Sequence, residues 1–271
     1  MDLGTFGVWR RVGQLTDAMA AEAEELGYGA IWIGGSPPGD LDVVERTLDI
    51  TEQIPVVTGI VNMWREDAAT VARSYHRIVG KHPGRFLLGV GVGHPEATSG
   101  YRRPLDKINE YLDGLEKADV PADQTVLAAL GPKVLGIAAE RTAGAHPYLT
   151  TPRHTAMASE IMGQGLLAPE HKVVLGADAE RHLELGRDAV RRYLNLDNYR
   201  RNLRREGWNE PDLADGGSDS LIRALVLGGG PAEVADALRA HLDAGADHVG
   251  IQALGEKPDE TYRALAGALF G

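Results

Sequence analysis

The chain has no cysteine among its 271 residues. That excludes a disulfide framework, a thiolate metal site and a cysteine nucleophile, so any chemistry must come from His, carboxylates, hydroxyls or a borrowed cofactor. No window approaches the roughly 20 apolar residues that span a bilayer. The opening MDLGTFGVWRR lacks the charged region and long apolar stretch of a secretory signal, so a cytoplasmic location is expected. Basic residues are in short supply, 28 Lys and Arg against 39 Asp and Glu, for a formal charge of -11. Nucleic acids and anionic membranes are held mainly by clustered cations, so neither is an expected partner and a small-molecule role is. There is no HExxH and no other ligand spacing among the histidines, and no bound metal is expected. Nucleophile elbows, paired catalytic carboxylates, internal repeats and low-complexity tracts are absent as well.

What is present is alternation. Short, continuously apolar runs fall at residues 3–8, 30–33, 55–61, 85–92, 125–129, 145–149, 172–176 and 248–253, and segments of helical period lie between them. Strands that are apolar on both faces, each followed by a helix, predict a parallel sheet covered on both sides. Eight is the number that closes a barrel, and closed α/β barrels run about 250 residues as one domain. The expectation is a single (β/α)8 TIM barrel. Residues 196–230 break the rhythm with helix-like stretches and no strand-like run, and read as a helical insertion between strands seven and eight.

In such barrels the chemistry sits at the C-terminal ends of the strands, and four segments there draw notice. Gly89 to His94, GVGVGH, hints at a dinucleotide loop, but the next helix starts only near Pro104, too late for that motif. Gly91 and Gly93 instead suggest room for a flat ligand, with His94 delivered at the strand's end as a proton donor near neutral pH. The exit of strand three, from Thr58 to Arg65, carries a glycine inside a strand, Gly59 before Ile60, then Asn62 and Trp64. Leu130-Gly131-Pro132-Lys133 opens a helix with Gly at the cap and Pro at the first position. Its free N–H groups and Lys133 make either an ordinary cap or an anion seat. Tyr148, Thr150, Thr151 and Arg153 follow strand six and read as a second phosphate contact, or as a helix start capped by Thr151.

Together these residues carry a resemblance. GRFLLGVGVGHPEA at 84–97, LAALGPKVLGIAAERTAGAHPYL at 127–149, LGYGAIWIGG at 26–35 and AHLDAGADHVGIQ at 240–252 are similar to segments of the luciferase-like monooxygenase superfamily. The chain most resembles the branch described as coenzyme F420-dependent oxidoreductases. The resemblance implies a luciferase-like barrel with a flat tricyclic cofactor at its mouth. The cofactor's phosphate would lie near the helix starts after strands five and six, and a non-prolyl cis peptide in the strand-three bulge would fall at Gly59–Ile60. It also implies a homodimer.

Two departures stand out. Several deazaflavin-dependent relatives place an acidic residue and then His after strand two, where this chain has Gly34-Gly35-Ser36; where some carry a carboxylate after the strand-four glycines, it has His94. His94 is therefore the expected proton donor, with Asn62, Trp64 and Glu96 lining the site. Hydride transfer between deazaflavin C5 and a small organic substrate is the expected activity. The alternatives are an FMN-dependent monooxygenase and a non-catalytic flavin-binding barrel.

Overall fold

A computed structural model describes residues 1–93 and 103–271. His94 and Glu96 lie outside the described residues. The strands are β1 (Phe6–Arg11), β2 (Ile31–Gly34), β3 (Val56–Gly59), β4 (Val61–Asn62), β5 (Phe86–Gly91), β6 (Thr125–Leu127), β7 (Gly144–Ala145), β8 (Leu166–Leu167), β9 (Glu170–Leu175), β10 (Val226–Gly229) and β11 (Val249–Ala253). Every pairing is parallel, in the order β10-β9-β11-β1-β2-β3-β5-β6-β7-β8, with β4 also on β5. The ends of that order meet. Leu166 N donates to Ala143 O and Glu170 N to Pro147 O on one side, while Asp247 N donates to Leu167 O and Gly250 N to Pro169 O on the other. Residues 166–175 thus act as one bent seventh strand that closes the cylinder between β7 and β11, the architecture expected from the eight-run pattern.

Around the ring lie α1 (Asp17–Glu25), α2 (Asp42–Asp49), α3 (Ala68–Lys81), α4 (Pro104–Lys117), α5 (Pro132–Arg141), α6 (Pro152–Met162), α7 (Ala179–Val190), α11 (Pro231–Asp243) and α12 (Pro258–Leu269). The strands' two faces explain the continuous apolar runs. Phe6, Val8, Ile31, Ile33, Val56, Phe86, Leu88 and Ile251 pack outward against buried helix residues such as Ala20, Val44, Val71, Ile108 and Leu238. The alternate positions Trp9, Trp32, Val57, Leu87, Val126 and Ala168 form a separate inner cluster.

Several features differ from the sequence reading; strand one runs Phe6–Arg11 instead of 3–8, and strand five stops at Leu127 instead of 129. Strand six stops at Ala145 instead of running to Leu149. The seventh strand begins earlier than expected, at β8, two residues whose shortness leaves no pattern. Between strands seven and eight the chain forms α8 (Asp197–Arg205), α9 (Glu210–Leu213) and α10 (Asp219–Leu225) and then β10, so the region does hold a strand. β10 pairs Val226–Gly229 with Lys172–Leu175, along the edge of β9 that lies beyond the end of β7. No described helix is long and apolar enough to cross a membrane.

Candidate functional site

The C-terminal mouth is built on a layer of rings. Trp9 is 2% exposed, and its Nε1–H donates to His146 Nε2 at 3.2 Å. Below it Trp32 stacks on His146 with centroids 4.1 Å apart and donates to His248 Nε2 at 2.9 Å. Each histidine places its Nδ1 against a backbone carbonyl, Ala168 O for His146 and Gly4 O for His248. Burial pushes both imidazoles down to about 4, so both are neutral and carry their proton on Nδ1. Gly34 and Gly59 make the room: a Cβ on Gly34 would collide with the Trp9 indole, and one on Gly59 would stand 2.9 Å from Trp9 Nε1. The side of Gly59 that a Cβ would occupy is therefore taken by Trp9 and His146.

A polar layer lies above. Glu170 and Lys172, each with a 1% exposed side chain, pair at 2.9 Å. Lys172 Nζ also stands 3.8 Å from the Tyr148 ring centroid, a desolvated cation–π contact worth about 2 kcal/mol. Burial raises the Glu170 carboxyl, opposed by the charge and hydrogen bonds of Lys172. Tyr148 donates to Gln252 Oε1 at 3.1 Å and accepts from Tyr193 at 3.3 Å. Burial holds its hydroxyl well above the ordinary range, so it stays protonated. Tyr148 thereby belongs to this interior network, not to a free phosphate contact.

The other half of the mouth, from β3 to β6, is lower and more open. The β3–β5 ladder covers Val56 and Val57 and resumes as β4–β5 at Val61 and Asn62. Across the gap, Thr58 Oγ1 donates to Gly89 O and accepts from Gly89 N, both at 2.8 Å. The Gly59–Ile60 peptide is cis, as the resemblance implied. Asn62 is buried and its Oδ1 accepts from Trp64 N at 2.9 Å. Its Nδ2 faces Gly93, which has φ +57 and whose Cβ would lie 2.6 Å away. Gly91 is closed by Ala128 and Ile60. Trp64 is drawn aside, with Lys107 of α4 5.6 Å from its ring centroid. What remains on this side is a floor of half-exposed Gly59, Ile60, Val92, Gly93, Ala128 and Leu130.

The floor runs into two helix starts. Gly131 is the N-cap of α5 with Pro132 at its first position, and Lys133 is exposed on the first turn. Thr151 is the N-cap of α6, but its side chain makes no cap bond. Instead Thr151 Oγ1 donates to Glu206 Oε2 at 2.5 Å. Thr150 Oγ1 is buried without a partner, while Arg153 is exposed. His154, buried on the first turn of α6, has its Nε2 2.8 Å from Leu130 O.

The partly buried floor presents glycine and small apolar side chains, the chemistry that would meet a flat ring, and the α5 start, with Lys133 beside it, would meet an anion. The α6 start is already engaged by Glu206. Gly59, Ile60, Gly93, Asn62, Leu130, Gly131, Pro132 and Lys133 would hold such a group, whereas Gly91, covered by Ala128 and Ile60, would not touch it; Thr150 and Arg153 flank the second helix start. Among the described residues no cluster of three or more His, Asp or Glu could hold a metal. The sequence reading missed Trp9, Trp32, His146, Glu170, Lys172 and Glu206. The one available signal was Glu170 and Lys172 at alternate positions of an apolar strand, which puts two charges on an inner face.

No family model and no curated protein matches the chain. Solved structures do. An F420-dependent secondary alcohol dehydrogenase in complex with an F420-acetone adduct aligns over 100% of both chains, at 14% identity and a TM-score of 0.76. A coenzyme F420-dependent tetrahydromethanopterin reductase from Methanopyrus kandleri aligns over 99% of both, at 16% identity and 0.69. The oxygenating constituent of 3,6-diketocamphane monooxygenase from Pseudomonas putida, a type II Baeyer-Villiger monooxygenase with FMN, aligns over 97% of this chain and 96% of its own, at 14% identity and 0.70. The α/β barrel expected from the sequence is the fold of this chain, and these structures share it.

Proposed function

We propose that the chain is an oxidoreductase of the luciferase-like type that seats a flat redox ring, coenzyme F420, on the β3–β6 floor and exchanges a hydride with a small organic substrate. The observation that carries this reading is the asymmetry of the mouth. One half is filled by the buried Trp9, Lys172 and Gln252; the other is a partly buried shelf of glycine, Ile60, Val92 and Ala128 ending at the α5 start. The fold shared with proteins whose names include F420 or FMN supports the same reading.

When bound, a deazaflavin supplies two-electron hydride chemistry that no side chain here offers. This chain's residues bind and orient it. Ile60 and Ala128 give an apolar bed, Asn62 an amide at its edge, and Lys133 with the α5 N–H groups a positive end for its phosphate. The protonated Tyr148 and the neutral ring layer exclude water from below. His94, outside the described residues, stays the proposed proton donor, and a second copy of the chain the proposed partner.

Titration of the purified protein with coenzyme F420 and with FMN, followed by absorbance and fluorescence, tests the reading. Binding of F420, then turnover of carbonyl or conjugated substrates with the reduced form, is the expected result. Tight FMN binding with oxygen consumption would favour the monooxygenase instead, and binding without turnover a carrier. No binding of either would overturn the ring-site reading.

A further inference from the structure

The end of α8 crosses the starts of two other helices. Arg205 Nη1 lies 3.4 Å from where a Cβ on Gly131 would stand, and Arg153 Nη1 lies 3.0 Å from where one on Gly207 would stand. Glu206, between them, is 6% exposed; its carboxylate accepts from Thr151 Oγ1 at 2.5 Å and from Asn202 Nδ2 at 2.8 Å. Arg205 thus attends the α5 start and Glu206 the α6 start. A carboxylate docked on an N-cap hydroxyl is itself an anion, received at the positive end of a helix. One residue earlier, Thr150 Oγ1 is 1% exposed and unpartnered, so the hydrogen bonding of this corner is incomplete.

We propose that Glu206 sets which phosphate the mouth accepts: standing on the α6 half of the anion seat, it leaves the α5 half to the ligand and favours a singly charged phosphodiester over a doubly charged monoester. This inference rests on the ring-cofactor reading above. A phosphodiester, as in coenzyme F420, carries one charge at all ordinary pH, whereas a terminal monoester, as in FMN, approaches two above about pH 6. Repulsion from an ionised Glu206 grows in proportion to the ligand's charge. Burial raises the Glu206 carboxyl to about 7, offset in part by the Thr151 hydrogen bond and the Arg153 charge. The groups facing it are Thr151 and Arg153 of the α6 start and Asn202 of α8; His154, on the same first turn, is lowered by burial. The carboxyl is therefore protonated below neutrality and ionised above it.

The experiment compares wild type with Glu206→Gln, which keeps an acceptor for Thr151, using FMN, riboflavin and coenzyme F420 at pH 6 and 8. Thermal melting checks that the variant folds. At pH 8 the substitution should tighten FMN by about tenfold, leave riboflavin unchanged and tighten F420 by about threefold or less. In wild type the preference for riboflavin over FMN should grow from pH 6 to 8 by more than in Glu206→Gln, because the phosphate's own titration is common to both proteins. Equal shifts for FMN and riboflavin, an equal gain for F420, or identical pH profiles in the two proteins would each overturn the proposal while leaving the ring site standing. Failure of every ring ligand to bind either protein would remove the ring site, and the proposal with it.

Discussion

Trp9 and Gly34 are two halves of one packing decision. The indole's six-membered ring lies where a Cβ on Gly34 would go, and neither can move because Trp9 is also tied to His146. Gly34→Ala should therefore destabilise the fold by about 2 kcal/mol, as overpacking does, and by clearly less in a Trp9→Phe background, which removes the colliding atoms. Urea unfolding of the four proteins measures this, and additive costs would show that the indole does not fill that space. In the sequence the glycines at the strand ends were readable as points of close approach, yet not what approaches them. Gly59 has as its neighbour Trp9, 50 positions earlier in the chain. At the reacting end, His94→Ala should lower turnover more than F420 affinity, because a proton donor acts on the reaction and not on the bound ring. Unchanged turnover would remove His94 from the mechanism.

Among the elements, the break between β3 and β4 depends on one hydroxyl. Where the ladder lapses, Thr58 Oγ1 satisfies both the N–H and the carbonyl of Gly89, and Thr58 is 0% exposed. Thr58→Val keeps the volume but strands both backbone groups in the interior, and should cost about 3 kcal/mol. Thr58→Ser keeps the hydroxyl, loses a methyl group and should cost about 1 kcal/mol. Denaturant midpoints decide it: if valine is tolerated as well as serine, the bulge has another support. Elements of this kind are what a periodic reading misses. α5 starts at Pro132, as expected, because Gly131 and Pro132 mark the start. β8 has two residues, and β10 ends in two glycines, so each depends on partners distant in the chain for its existence. Likewise, the end of α8 reaches both helix starts of the candidate site only through the tertiary fold, and no local pattern of Arg205 and Glu206 announces it.

For the molecule as a whole, the buried titratable groups set how it meets acid. His146, His241 and His248 are pushed by burial to about 4 each, against 6.5 as the ordinary value. The folded chain thus binds fewer protons there than the unfolded chain, and the stability they lend is complete above pH 6.5 and lost as pH falls toward 4. Each contributes about 3 kcal/mol over that interval. Glu206 runs the other way: raised to about 7, it takes up its proton earlier in the folded chain than in the unfolded one, and so adds stability as pH falls from 7 to 4.5. Glu170, also raised by burial, acts with Glu206, and His154 and His171, lowered by burial, act with the other histidines, so the balance stays with the imidazoles. Unfolding near pH 5.3 should therefore take up about two protons, and the unfolding free energy should drop by about 1.4 kcal/mol per proton for each pH unit lost. Given that a domain's whole stability is about 5–15 kcal/mol, a net loss of about 3–4 kcal/mol between pH 7.5 and 5 is a large share of it. A series of urea unfolding curves from pH 7.5 to 5 yields the slope directly. A flat profile would mean that water reaches the inner imidazoles, and that the ring layer beneath the mouth is not the closed floor on which the candidate site rests.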